Sequence, residues 1–378
     1  MLRIIADENI PFLKGVLEPY AYVKYMPGNL IIRDSLLNVD ALIIRSRTKC
    51  DKSLLEGTAV KFIATATIGF DHIDTEYCKS VKIQWVNAPG CNSSSVQQYF
   101  VAAMLMYAHR YDFDLSQKTL GIIGVGNVGS KIRFAAQILG INVKLNDPPR
   151  ARKEGSAGFT DLDGILETCD IITLHVPLIT KGEDQTFHLF DSSLFHKVKD
   201  GAWLINTSRG EVVKTNALKA ALSSRKLNGV VLDVWENEPK IDLELLRQVY
   251  IATPHIAGYS TDGKANGTAM VVQALSHYFN LPLLNFRSIS LPEPSNPVIV
   301  IDGTGKPGLQ IVREAVMHSY AITRDHTRLQ ISPETFEQQR GAYPTRREFS
   351  SYKVKLSNGK TGATEILEKL GFKVQIDI

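Results

Sequence analysis

The chain has 378 residues, 44% hydrophobic and 22% charged, which is enough for two or three packed domains and excludes a disordered chain. Its 43 Lys and Arg exceed its 39 Asp and Glu by only four, with no concentrated basic run, which argues against a nucleic-acid or membrane-surface partner. Cys50, Cys78, Cys91 and Cys169 form no C-x-x-C pair, the N-terminus lacks a leader pattern, and no stretch nears the ~18 apolar residues that span a bilayer; reduced thiols, no metal and a cytoplasmic location are expected.

Short β-branched runs alternate with longer helix-period segments, the signature of parallel sheets wrapped by helices. LRIIA, VDALIIRS, VKFIATAT and KIQWVNAP read as strands of a first unit within about residues 1–90. The helical VQQYFVAAMLMYAHR leads to a second series, TLGIIGVG, NVKLND, CDIITLHVP, GAWLINTSR, GVVLDVW and VYIATPH. A long helix over about Thr261 to Phe279 then runs into LPLLNFRSISLPEPSNP, whose proline and serine content marks a linker. Beyond it, VIVIDG, the helical GLQIVREAVMHSYAI and a final helix and strand suggest a small module. The predicted architecture is α/β: two doubly wound parallel-sheet, Rossmann-like domains followed by a small C-terminal α+β domain.

GIIGVGNVGSKI places Gly124, Gly126 and Gly129 in G-x-G-x-x-G spacing between a predicted strand and a predicted helix. The first glycine makes the tight turn, the second admits a pyrophosphate against the backbone, and the third lets helix and strand approach. Asp147, about 20 residues on at the end of the next strand, suits the hydroxyls of an adenosine ribose and disfavours a 2'-phosphate, so NAD is expected over NADP. Arg150, just beyond, is the residue that argues the other way.

Ligands of doubly wound sheets meet the carboxyl ends of the strands. Arg209 follows WLINTS, Glu238 follows VVLDVW and His255 follows YIAT, so all three fall at such ends. A carboxylate at the mouth of a buried strand needs a cationic or donating partner. VVLDVWENEP offers two, Glu236 and Glu238, and Glu238, next to the proline, is the better placed to meet His255. The chemistry that calls for these types is hydride transfer from a hydroxy acid: a guanidinium forks onto the carboxylate, an imidazole removes the hydroxyl proton, and a carboxylate fixes the imidazole.

Through GVGNVG, LHVPL, INTSRGEVV, LDVWENEP and TPHIAGYS, in that order, the chain resembles the D-isomer-specific 2-hydroxyacid dehydrogenases. The resemblance implies that Arg209, Glu238 and His255 are the catalytic set. It implies that NAD is held by Gly124, Gly126, Asn127, Val128, Gly129, Asp147, His175, Thr207, Ser208, Arg209, Asp233 and Gly258, with Asp233 near the nicotinamide carboxamide. ADENIP, VDALIIRSRTK, TATIGFDHID, APGCN, NDPPR and YPTRRE resemble a narrower branch that acts on a small phosphorylated hydroxy acid and carries an added C-terminal domain. That likeness implies a substrate-binding lid over 1–93 and 260–285, an NAD-binding domain over 94–259, a dimerisation domain over 286–378, and hence a homodimer. It also implies substrate contacts from Ser46, Thr67 and Tyr259. Arg45, Arg346 and Arg347 are expected to hold the phosphate, the last two from the same or the neighbouring subunit. Gln98 stands where the family usually has a glutamate. Phosphoglycerate dehydrogenase and an NAD-sensing corepressor of the same fold are the alternative readings.

Overall fold

The structure is a computed structural model that describes residues 1–287, 290–358 and 361–377. Two compact units divide it, Met1–Asn92 with Ser260–Pro292 and Ser93–Tyr259 with Glu293–Ile378.

In the first unit, β1 (Arg3–Asp7), β2 (Tyr22–Met26), β3 (Ala41–Ile44), β4 (Phe62–Thr65) and β5 (Gln84–Val86) form one parallel sheet in the order β2-β1-β3-β4-β5. Strands β3 and β4 are buried throughout, as continuous apolar runs in a covered parallel sheet should be. Strand β2 alternates exposed and half-buried residues at the sheet edge, so YVKYM gave no apolar signal in the sequence. The helix Thr261–Phe279 starts where Ser260 Oγ accepts the Gly263 amide at 2.8 Å, an N-cap. Its Val271, Val272 and Leu275 pack with Phe62 of β4, whose ring lies 4.8 Å from that of Tyr278.

The second unit carries β6 (Thr119–Ile123), β7 (Asn142–Asn146), β8 (Ile171–Leu174), β9 (Ala202–Asn206), β10 (Leu227–Leu232) and β11 (Ile251–Ala252). Their order, β11-β10-β9-β8-β6-β7, is parallel and reverses direction beside β6, which sets the switch-point crevice at the carboxyl ends of β6 and β8. The same unit holds a three-stranded parallel sheet of β12 (Val298–Asp302), β13 (Lys353–Ser357) and β14 (Lys373–Asp377). Sequence reading missed β13, because KVKLS buries only Val354 and Leu356 and otherwise presents Lys and Ser. One apolar cluster joins Ile299, Ile301, Ile311 and Val316 to Val101 and Leu105 of the helix Ser93–Tyr111, so the C-terminal sheet shares its core with the six-stranded one. Among the described residues no helix is long and apolar enough to cross a membrane.

Candidate active site

Strand β6 ends at Ile123, and Gly124 turns the chain with φ +88°, a conformation that costs a side chain dearly. A Cβ on Gly124 would stand 2.6 Å from the His175 carbonyl, and one on Gly129 would stand 2.0 Å from the Gly124 carbonyl. A Cβ on Gly126 would meet nothing within 4 Å. Two of the three glycines are therefore imposed by packing, and the middle one keeps a space open. That space belongs to a cleft lined by Ser93, Val125, Gly126, Asn127, Ser130, Lys131 and Arg150, at the start of the helix Asn127–Ile138, the end of a helix that favours anions. Val128, in the first turn, packs against the core. A pyrophosphate fits this cradle.

Asp147 accepts the Val125 amide at 2.8 Å and the Arg150 amide at 3.1 Å, which ties the end of β7 to the glycine turn. Arg150 does not stand free for a 2'-phosphate. Its Nε and Nη2 donate to Glu154 at 2.9 and 2.7 Å, and its Nη1 to the Val125 carbonyl at 2.6 Å. After β8, His175 shares hydrogen bonds with Thr173 Oγ1 at 2.9 Å and Thr207 Oγ1 at 3.3 Å, and burial pushes its pKa down to about 3, so it is a neutral imidazole.

Arg209 opens the turn after β9, where Asn206 Nδ2 donates to its carbonyl at 2.8 Å and Asn206 Oδ1 accepts from Ser208 N and Oγ at 3.0 and 2.8 Å. Its Nη1 donates to the Ser208 carbonyl at 2.8 Å. A Cβ on the next residue, Gly210, would stand 2.0 Å from the Trp235 carbonyl group, so glycine is what lets the arginine turn close onto the turn that carries Glu238.

Both glutamates of that turn have a histidine. Glu238 Oε2 lies 2.7 Å from His255 Nδ1, and its Oε1 accepts the Trp235 amide at 2.8 Å. Burial drives the Glu238 pKa upward, but the adjacent His255, the hydrogen bonds from His255 and Trp235, and the nearby Arg340 outweigh it, and the carboxyl lies below its ordinary value. Glu236 instead meets His188 Nε2 at 2.5 Å and accepts the Thr215 amide at 2.7 Å. With Nδ1–H donating to Glu238, His255 Nε2 presents its lone pair and has no hydrogen bond among the described residues, while the side chain stays 32% exposed. His255 sits at φ +56°, a left-handed conformation held by its amide donating to the Asp233 carbonyl at 2.7 Å.

Asp233 lies beneath this loop. Its Oδ1 accepts Thr253 Oγ1 and the Ile256 amide, each at 2.7 Å, and its Oδ2 accepts the Ala257 amide at 2.9 Å. The side chain is buried, which raises its pKa, and these bonds commit it to the loop of Ile256, Ala257, Gly258 and Tyr259. Arg346, expected in a basic turn facing a phosphate, is 4% exposed; its Nη2 donates to the Ala257 carbonyl at 2.5 Å and its guanidinium covers the Tyr320 ring at 4.4 Å. Arg347 is 9% exposed, and its carbonyl accepts from Gln98 Nε2 at 3.0 Å. Both side chains are thus buried rather than set in a solvated basic turn. Gln98 acts as a donor here, which an ionised glutamate cannot do.

In the first unit, Arg45 and Ser46 follow β3, and Arg45 Nη1 donates to the Asn9 carbonyl at 3.2 Å. Thr67, beyond β4, donates to the Gly69 carbonyl at 2.8 Å. Both positions lie at carboxyl ends of parallel strands.

A dinucleotide cradle joined to an imidazole–carboxylate pair defines an NAD-dependent 2-hydroxyacid dehydrogenase, and the comparisons agree. Residues 95–257 match the D-isomer specific 2-hydroxyacid dehydrogenase, NAD binding domain, and residues 291–371 match a domain of unknown function, DUF3410. Erythronate-4-phosphate dehydrogenase of Bacteroides fragilis is 50% identical over 93% of this chain and 99% of its own, and that of Chromohalobacter salexigens is 41% identical over 99% of each. Among solved structures, D-lactate dehydrogenase from Aquifex aeolicus, complexed with NAD and lactic acid, aligns with TM-score 0.62 and 26% identity over 77% of this chain and 100% of that one. NAD-bound 3-phosphoglycerate dehydrogenase of Entamoeba histolytica aligns with TM-score 0.64 and 25% identity over 77% and 99%. The chain belongs to the erythronate-4-phosphate dehydrogenase family.

Proposed function

We propose that the protein oxidises 4-phospho-D-erythronate at C2 to 2-oxo-3-hydroxy-4-phosphobutanoate, a step of pyridoxal 5'-phosphate biosynthesis. Full-length similarity to curated erythronate-4-phosphate dehydrogenases supports the substrate. The observation that carries the chemistry is the His255 Nδ1–Glu238 Oε2 contact of 2.7 Å, which leaves Nε2 as a base.

Arg209 holds the substrate carboxylate and polarises the C2 oxygen. His255 Nε2 takes the hydroxyl proton, and Glu238 fixes the tautomer and stabilises the imidazolium that results. NAD, when bound, would supply the hydride acceptor for C2, while His255 keeps the proton as the 2-oxo product leaves. Gly124, Gly126, Asn127 and Gly129 hold the pyrophosphate, Asp147 the adenosine ribose, and His175, Thr207, Ser208 and Gly258 the nicotinamide end. Asp233 serves that end through the loop it supports. Ser46, Thr67 and Arg45 act from the lid, Tyr259 from the His255 loop. The protein works as a cytoplasmic homodimer, with residues 286–378 as the dimerisation domain.

The test is NADH formation with 4-phospho-D-erythronate beside 3-phosphoglycerate. Preference for the four-carbon substrate by at least tenfold in kcat/KM supports the reading. Preference for 3-phosphoglycerate assigns the chain to the sister activity, and no turnover with any small hydroxy acid returns it to cofactor sensing.

A further inference from the structure

A substrate with a carboxylate at one end and a phosphate at the other needs a second cationic site beyond Arg209. On the substrate reading above, Arg45 is one source of it, and a further one comes from a part of the chain that the sequence motifs did not single out. Arg340 stands on the short helix Phe336–Gly341. Its guanidinium carbon lies 5.8 Å from the centre of the Tyr259 ring, and Tyr259 closes the loop that His255 opens. Arg340 is also an electrostatic neighbour of Glu238, the partner of His255. The ring contact and this charge interaction place it near the loop that carries the proposed base.

The donors of Arg340 are unequally used. Nη1 is held by Glu337 Oε1 at 2.7 Å. Nε is buried without a hydrogen-bond partner, and Nη2 makes no hydrogen bond among the described residues. The side chain as a whole keeps 19% of its surface. The Nε–Nη2 edge of a guanidinium presents two parallel donors at the spacing of two oxygens of a phosphate, and a buried N–H left unmade is costly unless a ligand satisfies it. Arg346 also has buried donors without a partner, Nε and Nη1, but it is 4% exposed beneath the Ala257 carbonyl and the Tyr320 ring, and Arg347 is 9% exposed, so Arg340 is the most open of the three.

We propose that Arg340 is the specificity-determining cation for the phosphoryl group of the substrate, receiving two phosphate oxygens on its Nε–Nη2 edge while Glu337 holds Nη1. The C-terminal segment then contributes a residue to substrate choice as well as to the core.

Arg340→Gln and Arg340→Lys are compared with the unaltered protein on 4-phospho-D-erythronate and on unphosphorylated D-erythronate, with competitive inhibition by inorganic phosphate measured alongside. For Arg340→Gln, kcat/KM on the phosphorylated substrate falls roughly 10- to 100-fold, mainly through KM, as loss of charge-assisted hydrogen bonds implies. On D-erythronate the change stays within about threefold, phosphate inhibition weakens in parallel, and Arg340→Lys, which keeps charge but not the fork, lies between. Equal losses on both substrates, or a shifted pH–rate profile with unchanged phosphate inhibition, overturn the proposal and make Arg340 a positioning residue for Glu238 and His255. Failure of the unaltered protein to prefer the phosphorylated substrate refutes the functional reading instead, a result visible before any variant is made.

Discussion

His188 and His255 share an unusual circumstance: both have positive φ, and each meets a glutamate from the same short turn. Their roles separate by surroundings. Glu236 also receives the Thr215 amide at the start of the helix Thr215–Ser223, so its pair ties loop to helix. Glu238 holds the Trp235 amide and His255 Nδ1, in a His255 side chain that stays partly exposed. Because the folded Glu238 carboxyl lies below 4.5, its ordinary value, its stabilising contribution is present in full above pH 4.5 and is lost as pH falls through the folded value. Glu238→Gln is therefore expected to lower stability at neutral pH and to flatten the acid limb below pH 4.5, measured by urea unfolding across pH; an unchanged acid limb contradicts the pairing. The choice of Glu238 over Glu236 was legible from its place beside the proline. The role of Asp233 beneath the loop was not, since a strand-ending aspartate looks alike in sequence whether it faces a ligand or its own backbone amides.

Among elements, the glycine turn after β6 offers the sharpest separation of packing from binding. Gly129→Ala drives a Cβ to 2.0 Å from the Gly124 carbonyl, so a loss of about 1–3 kcal/mol in unfolding free energy is expected. Gly126→Ala meets nothing within 4 Å in an ordinary backbone conformation. It should unfold within about 0.5 kcal/mol of the parent, yet bind NAD about tenfold or more weakly, since one charge-assisted contact is worth that much. Calorimetric binding and thermal unfolding of the two variants check this; weakened unfolding with intact NAD binding in Gly126→Ala contradicts the cradle. The spacing of these glycines revealed the element from sequence alone, because the outer two answer a steric demand and the middle one keeps a space open. Strands β2 and β13 stayed hidden because one lies at a sheet edge and the other interleaves Lys with its buried residues.

At the scale of the molecule, the segment after Pro292 is bound into the unit that carries the dinucleotide cradle. Phe336 is 1% exposed in the cluster of Leu245, Leu246, Ala252 and Leu329, and the Ala252 amide donates to His326 Nδ1 at 3.1 Å. Phe336→Ala is expected to destabilise the protein by about 3–5 kcal/mol, read by denaturant unfolding. A cost below about 1 kcal/mol would mean that the segment adds little to that core. The small C-terminal sheet was partly legible from the strand signals of VIVIDG and the last strand, whereas the sharing of one core depends on contacts distant in sequence, such as Ile311 with the helix Ser93–Tyr111. The central claim is that His255, oriented by Glu238, is the base for oxidation of a phosphorylated hydroxy acid by NAD. Its most direct test is steady NADH formation from 4-phospho-D-erythronate by the parent protein and by His255→Ala, with NAD affinity measured on both. The account predicts a kcat loss of about 100-fold or more with NAD affinity unchanged; near-parental turnover in His255→Ala would contradict it.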